Sequence, residues 1–411
     1  MGEAEKTSMK MIKGGTLIDG RGAAPVKDAD VLIEGSIIRS VGKNVEAPTD
    51  AEVIDAKGKT IMPGLIDSHI HLWGSVEGGM FEWLTRPLEL GLIKAISDAK
   101  AMLNAGFTTV KCCGSRNGLH IRDSAAEGTL KGVPRILAAG HWVSQTFGHG
   151  DAQILPAEYV DMRTTRHHSI FTDGLLADGV DECIKATRYA LRQGADFIKI
   201  HVSGGFTSPR DKVTDVQFNL SEIKAITDTA MQAGKFVTAH YQKSIPSLRN
   251  AVLGGVKTIE HALLTDDRSV EMAMEKDIVF VSTISVMRRS LEANNENARL
   301  IVESYNRLTR AGAIFAMGTD NMGIAGTAGK NARELELLTN YCDISSADAI
   351  VMATKNGAQA CFMGDKTGTI EAGKLADIIV IDGDPLADIT VLQNADKVKV
   401  VMLEGNIEKR I

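Results

Sequence analysis

No apolar run in the sequence approaches the roughly 18 residues that a membrane-spanning helix requires, and the opening MGEAEKTSMK lacks the apolar centre of a signal peptide. Positive charge is not in surplus either. The 46 lysines and arginines face 52 acidic residues, a net charge of −6, so the electrostatic footprint of phosphate-backbone binding is missing and nucleic acid is set aside as a main partner. Cysteine is scarce: Cys112, Cys113, Cys183, Cys342 and Cys361 form no CxxC pair, which excludes a disulfide framework and a cysteine zinc site. Reduced thiols in a cytoplasmic protein are expected. What the chain does have is 44% hydrophobic and 24% charged residues over 411 positions, enough to bury a sizeable core and outside the compositions of disordered, collagenous or coiled-coil chains.

Residues 1–8 read as a polar leader. From there to residue 62 short strands alternate with turns, as in Asp30-Val31-Leu32-Ile33 and Ile37-Ile38-Arg39-Ser40-Val41, broken by Asp19-Gly20 and Glu34-Gly35. The same texture returns only in 365–411, at Asp377-Ile378-Ile379-Val380-Ile381 and Val398-Lys399-Val400-Val401-Met402. The two ends, 1–62 and 365–411, are therefore expected to build one small β-sandwich domain. Between them, over 63–364, strand-like runs alternate with amphipathic helical stretches, the signature of parallel βα units. Eight strands are expected, at residues 60–65, 108–111, 135–138, 197–200, 236–239, 258–259, 278–281 and 314–317. A helix is expected over 222–233, with Ser221 as its N-cap. Eight such units close into a (β/α)₈ TIM barrel.

Chemistry in such a barrel sits at the C-terminal ends of the strands. The first strand runs into Asp67-Ser68-His69-Ile70-His71, the fourth carries Lys199, the fifth ends in His240, the sixth in His261 and the eighth in Asp320. Two histidines two residues apart on an extended strand face the same way and can share a metal, although an isolated H-x-H also serves as a simple hydrogen-bonding pair. The weight lies in the coincidence, since the chain has only ten histidines and four stand at predicted catalytic strand ends. Lys199, between Ile198 and Ile200, is costly to bury as an ammonium. It either pairs with a carboxylate or has its pKa lowered, leaving an amine that adds carbon dioxide to form a carbamate.

This ordered set resembles the amidohydrolase superfamily: Ile61-Met62-Pro63-Gly64-Leu65-Ile66-Asp67-Ser68-His69-Ile70-His71-Leu72 is similar to its first-strand motif and Met317-Gly318-Thr319-Asp320 to its eighth. Ile198-Lys199-Ile200 followed by Ser203-Gly204-Gly205, and Thr258-Ile259-Glu260-His261, resemble the prolidase-like branch, whose members hydrolyse dipeptides and N-acyl amino acids. The resemblance implies two divalent metal ions, most often zinc. His69, His71 and Asp320 would hold the more buried ion and His240 and His261 the more exposed one. Lys199, carbamylated by carbon dioxide, would bridge them together with a hydroxide. Asp320 would be the general base and acid for cleavage of an amide bond in a small-molecule or dipeptide substrate. It also implies a homo-oligomer.

Substrate contacts are nominated by position. His149, in Phe147-Gly148-His149-Gly150-Asp151, occupies a glycine-flanked setting similar to that of a substrate-contacting histidine in the branch. Where branch members carry a tyrosine or histidine two positions after the fifth-strand histidine, this chain has His240-Tyr241-Gln242, so Tyr241 and Gln242 are both candidates for polarising the carbonyl. Ser203-Gly204-Gly205 either offers backbone N–H groups to a carboxylate or makes a tight turn. Two other functions compete. A mononuclear deaminase on the same scaffold would carry a glutamate soon after His240, whereas Tyr241-Gln242-Lys243-Ser244 has none. A non-catalytic scaffold protein would lack a ligand, and none is missing.

Overall fold

The computed structural model describes residues 9–165, 168–169, 172–324 and 326–411, so the leader expected over 1–8 lies outside the described residues. The parallel strands Leu65–Ile70, Phe107–Cys112, Arg135–Ala138, Ile198–His201, Val237–Tyr241, Thr258–His261, Val279–Val281 and Phe315–Ala316 form the staves of a barrel. The last stave closes on the first, with Ser68 N–H donating to the Met317 carbonyl at 3.0 Å and Asp320 N–H to that of His69 at 2.7 Å. Alternation along each strand sorts the side chains. Ile198, Ile200, Val237 and Ala239 turn outward into one core with Cys183, Ala186 and Ala190 of helix Val180–Arg192 and Ile223, Ile226 and Ala230 of helix Leu220–Gln232. Lys199, His201 and His240, one register step away, are left to the interior.

Two local expectations change, and one strand, found over 135–138 as expected, gains a continuation. The range 60–65 divides at Gly64: Thr60–Pro63 belongs to the end sheet and Leu65–Ile70 to the barrel. A Cβ on Gly64 would stand 2.1 Å from Thr108 Oγ1, so only glycine lets the chain cross between the two sheets there. The third stave breaks after Ala138, where Gly140 is left-handed (φ 67°), and resumes as Trp142–Ser144, which pairs with the fourth. Finally, Asn219 rather than Ser221 caps helix Leu220–Gln232. Asn219 Oδ1 accepts from the Ser221 and Glu222 N–H groups while Glu222 accepts from Asn219 N–H, a reciprocal box that a serine two residues later cannot form.

The chain ends meet in a separate eight-stranded sheet, in which Met9–Leu17 pairs with Val26–Glu34, Glu52–Asp55 and Thr60–Pro63, and Thr60–Pro63 pairs antiparallel with Ile378–Ile381. Ile378 and Val380 face the core of this small domain beside Ile12, Ile33 and Met402, while Ile379 and Ile381 join the barrel's core. One strand thus serves two cores by the two-residue period, each buried side chain contributing about 1.5–3 kcal/mol. None of the described helices is long and apolar enough to cross a membrane.

Candidate metal centre and substrate cavity

Five barrel strands deliver polar side chains to one end of the interior. His69 is fully buried, its Nδ1 2.6 Å from Glu260 Oε2 and its Nε2 3.5 Å from Asp320 Oδ1. His71 Nε2 lies 3.2 Å from the same Oδ1, and its Nδ1 is 2.9 Å from the Gly114 carbonyl. A carboxylate and a carbonyl only accept, so both rings donate through Nδ1 and turn the Nε2 lone pair toward Asp320. Donor atoms of His69, His71 and Asp320 all fall within 4.8 Å of one another. His261 follows, its ring centroid 4.8 Å from that of His69 and its Nδ1 2.9 Å from Thr283 Oγ1. His240 comes next, 4.6 Å from His261. Lys199 is only 2% exposed and has no ion-pair or hydrogen-bond partner among the described residues.

Strand alternation alone would put Glu260 inside and His261 outside. His261 instead adopts a left-handed backbone (φ 71°), which brings its ring into the mouth with the others, and Asp320 (φ 53°) is turned the same way. Such conformations cost on the order of 1 kcal/mol or more outside glycine and concentrate at functional sites.

The electrostatics suit cations. Burial, helped by Lys199, lowers His69 to about 4, and burial holds His240 and His261 well below the ordinary histidine range, so these rings are neutral at pH 7. Burial alone would raise the Asp320 carboxyl, but the adjacent His71 ring, with His69 and His261 close by, holds it well below the usual carboxylate range. The Nε2 atoms of His69 and His240 are buried without any hydrogen-bond partner. Neutral imidazoles with idle lone pairs, a carboxylate and an unpaired lysine form a donor set that fits divalent metal ions such as zinc.

Beside this cluster opens a cavity of about 340 Å³, walled by Trp73, Trp142, Phe206, Met287 and Met322. His149 enters it from the loop after Trp142–Ser144, stacked on His240 with centroids 4.4 Å apart, and its Nδ1 is 2.7 Å from Ser208 Oγ. Asp211 Oδ2 stands 3.7 Å behind that nitrogen. Burial would raise the Asp211 carboxyl, yet the neighbouring His149 ring and Ser208 hydroxyl bring it down to about 2.

A model of the amidohydrolase family matches residues 60–407. The chain belongs to that family. Ochratoxinase of Aspergillus niger is 30% identical to it, covering 98% of this chain and 88% of its own. The crystal structure of A. niger ochratoxinase superposes with a TM-score of 0.89 at 27% identity, covering 99% of this chain and 96% of that one. A crystal structure of a prolidase complexed with N-methylphosphonate-L-proline superposes at 0.86 and 28% identity, covering 98% and 100%. The protein is an amidohydrolase of the prolidase-like branch, a hydrolase acting on C–N bonds.

Within this amidohydrolase the fifth strand corrects one expectation. Tyr241 is wholly buried outside the cavity, its hydroxyl donating to the Leu264 carbonyl at 2.6 Å, because alternation sends it outward when His240 points in. It is not placed to touch a substrate. Gln242, the next inward position, lines the cavity with its Oε1 unpartnered. Two residues of the site escaped the sequence reading. His201, which the sequence sets near the mouth immediately past Ile200, lines the cavity 5.0 Å from the His240 ring, and its i, i+2 spacing from Lys199 is the signal for it. Glu260 and Lys111 carry no such signal, since their pairing joins different strands. The five cysteines are buried and free; burial pushes the Cys112 thiol up to about 11, and Cys113 lines the cavity beside His69 and Glu260.

Proposed function

We propose that this amidohydrolase is a binuclear metal enzyme that cleaves the amide bond of a dipeptide or an N-acyl amino acid. The observation that carries the reading is the meeting of His69, His71 and Asp320 donor atoms within 4.8 Å, beside the partnerless Nε2 of His240 and an apolar cavity. His69, His71 and Asp320 would hold the deeper ion, and His240 and His261 the shallower one. Lys199, whose amine has no partner, would be shared as a carbamate made by adding carbon dioxide at Nζ with loss of a proton. Bound there, divalent cations polarise a carbonyl and lower the pKa of water from about 15.7 toward 7.

The chain's own groups do the rest. Asp320, kept ionised by its imidazole neighbours, takes a proton from the attacking water at a carboxylate oxygen and delivers it to the departing nitrogen, because an amine leaves poorly unless protonated. His149, fixed by Ser208 and its stacking on His240, and Gln242, through its side-chain amide, both line the cavity and would donate hydrogen bonds to the carbonyl oxygen as it gains charge. Trp73 and Trp142, whose indole N–H groups are tied to the Gly114 and Gly150 carbonyls, form a rigid apolar wall for the remainder of the substrate.

The test is metal analysis of the purified protein, followed by a screen of dipeptide and N-acyl amino acid libraries with zinc and bicarbonate supplied. About two equivalents of metal and release of a free amino acid are expected. Ammonia released without an accompanying acid would instead mark a deaminase, and a metal-free, inert protein would mark a scaffold.

A further inference from the structure

One cation behind the cavity wall plays no part in the proposed reaction. Lys243 directly follows Gln242 in the loop leaving the fifth strand, and its Nζ donates to Asn297 Oδ1 and stands 5.6 Å from the centroid of the Phe206 ring. Asn297, Phe206 and Gln242 all line the cavity, so the ammonium is gripped between groups of the cavity wall. Its backbone is pinned too, Lys243 N–H donating to the Val213 carbonyl at 3.2 Å and the Gln242 carbonyl accepting from Leu264 N–H at 3.1 Å. A cation fixed this way loses little freedom on meeting an anion.

Its partners do not neutralise it. Lys243 forms no ion pair with any carboxylate among the described residues: Glu296 attracts it only across a longer gap, and its direct partners are a neutral amide oxygen and a ring face. Among the described residues no arginine lines the cavity, and the lysine that does, Lys199, lies beside the candidate metal ligands, while Lys243 stands just behind the wall formed by Asn297, Phe206 and Gln242. The wall near Lys243 therefore supplies what the floor does not, a spare positive charge at a distance from the reacting atoms.

We infer that Lys243 binds a carboxylate of the substrate. The preferred amides are then those whose amine portion carries a free carboxylate, the C-terminal residue of a dipeptide or the amino acid of an N-acyl amino acid, with the apolar remainder against Trp73, Trp142 and Met287. The inference rests on the amide-hydrolase reading and names the group that selects among amides.

The experiment compares N-acetyl-L-leucine with its uncharged C-terminal amide on zinc-loaded enzyme, and titrates calorimetrically the non-hydrolysable N-methylsulfonyl-L-leucine against its own C-terminal amide. In the wild type the acid is preferred in both assays. In Lys243→Met that preference shrinks about 10- to 100-fold, mostly through KM and Kd, and Lys243→Arg restores part of it. The inference is overturned if the wild type does not prefer the acid, if the sulfonyl acid fails to bind, or if Lys243→Met weakens acid and amide alike. Binding that depends on Lys243 without turnover of any amide would sustain the carboxylate site while refuting the hydrolase reading.

Discussion

Lys111 and Glu260 form an ion pair inside the barrel, Nζ to Oε1 at 3.0 Å, with both side chains wholly buried. The second oxygen of the same carboxylate holds His69 Nδ1 at 2.6 Å, so a charge pair in the core orients a candidate metal ligand. Removing one partner leaves the other charged and enclosed. Lys111→Met is expected to cost about 3–5 kcal/mol in urea unfolding, and adding Glu260→Gln to it is expected to recover much of that loss. The double variant should nonetheless bind zinc roughly 10- to 100-fold more weakly, because His69 has lost its orienting carboxylate.

Asp320 separates chemistry from folding. Asparagine tolerates the left-handed backbone that Asp320 adopts, so Asp320→Asn should keep a melting temperature near that of the wild type. Its kcat should fall about 10²- to 10⁴-fold for want of a proton carrier. Full turnover with metal retained would disprove the assignment.

Gly205 is the floor on which His149 rests. A Cβ there would come within 2.0 Å of His149 Cε1, so Gly205→Ala must push the ring away. A loss of about 10- to 100-fold in kcat/KM is expected, with zinc content close to the wild-type value. Equal kinetics would show that His149 does not touch the substrate.

Glu334 predicts a pH dependence. It accepts hydrogen bonds from Ser282 Oγ and from the Ile284 and Ser285 N–H groups, and burial outweighs these donors to raise it to about 7. A carboxyl raised in the folded state favours folding in its protonated form. Its contribution is therefore fully present below about pH 4.5 and is lost as pH rises through about 7. Over that window the wild type should lose about 3 kcal/mol relative to Glu334→Gln in urea titrations, at 1.36 kcal/mol per unit. A constant difference between the two would refute the shift.

The candidate ligands stood out in the sequence because each stands at the end of an apolar run, where a histidine or aspartate has no reason to sit unless the barrel mouth needs it. The meeting of the two chain ends was legible for a similar reason, since β texture appears nowhere else in such density. What stayed hidden depends on contacts between distant positions. Glu260 follows Ile259 like any interior strand residue, and its partner Lys111 lies 149 positions away. The inward turn of His261 comes from one backbone angle that residue type does not announce, and the outward turn of Tyr241 from the register of a strand whose end is visible only in three dimensions.

The pairing of Thr60–Pro63 with Ile378–Ile381 sets an order on biosynthesis. Strands made first wait for a partner that emerges from the ribosome only after the whole barrel has been made, and until then their edges are open to other chains. Removing residues 378–411 would take away none of the candidate metal ligands. It would strip one wall from the barrel's own core, so a nascent or clipped product is the form most exposed to aggregation and to the cell's proteases.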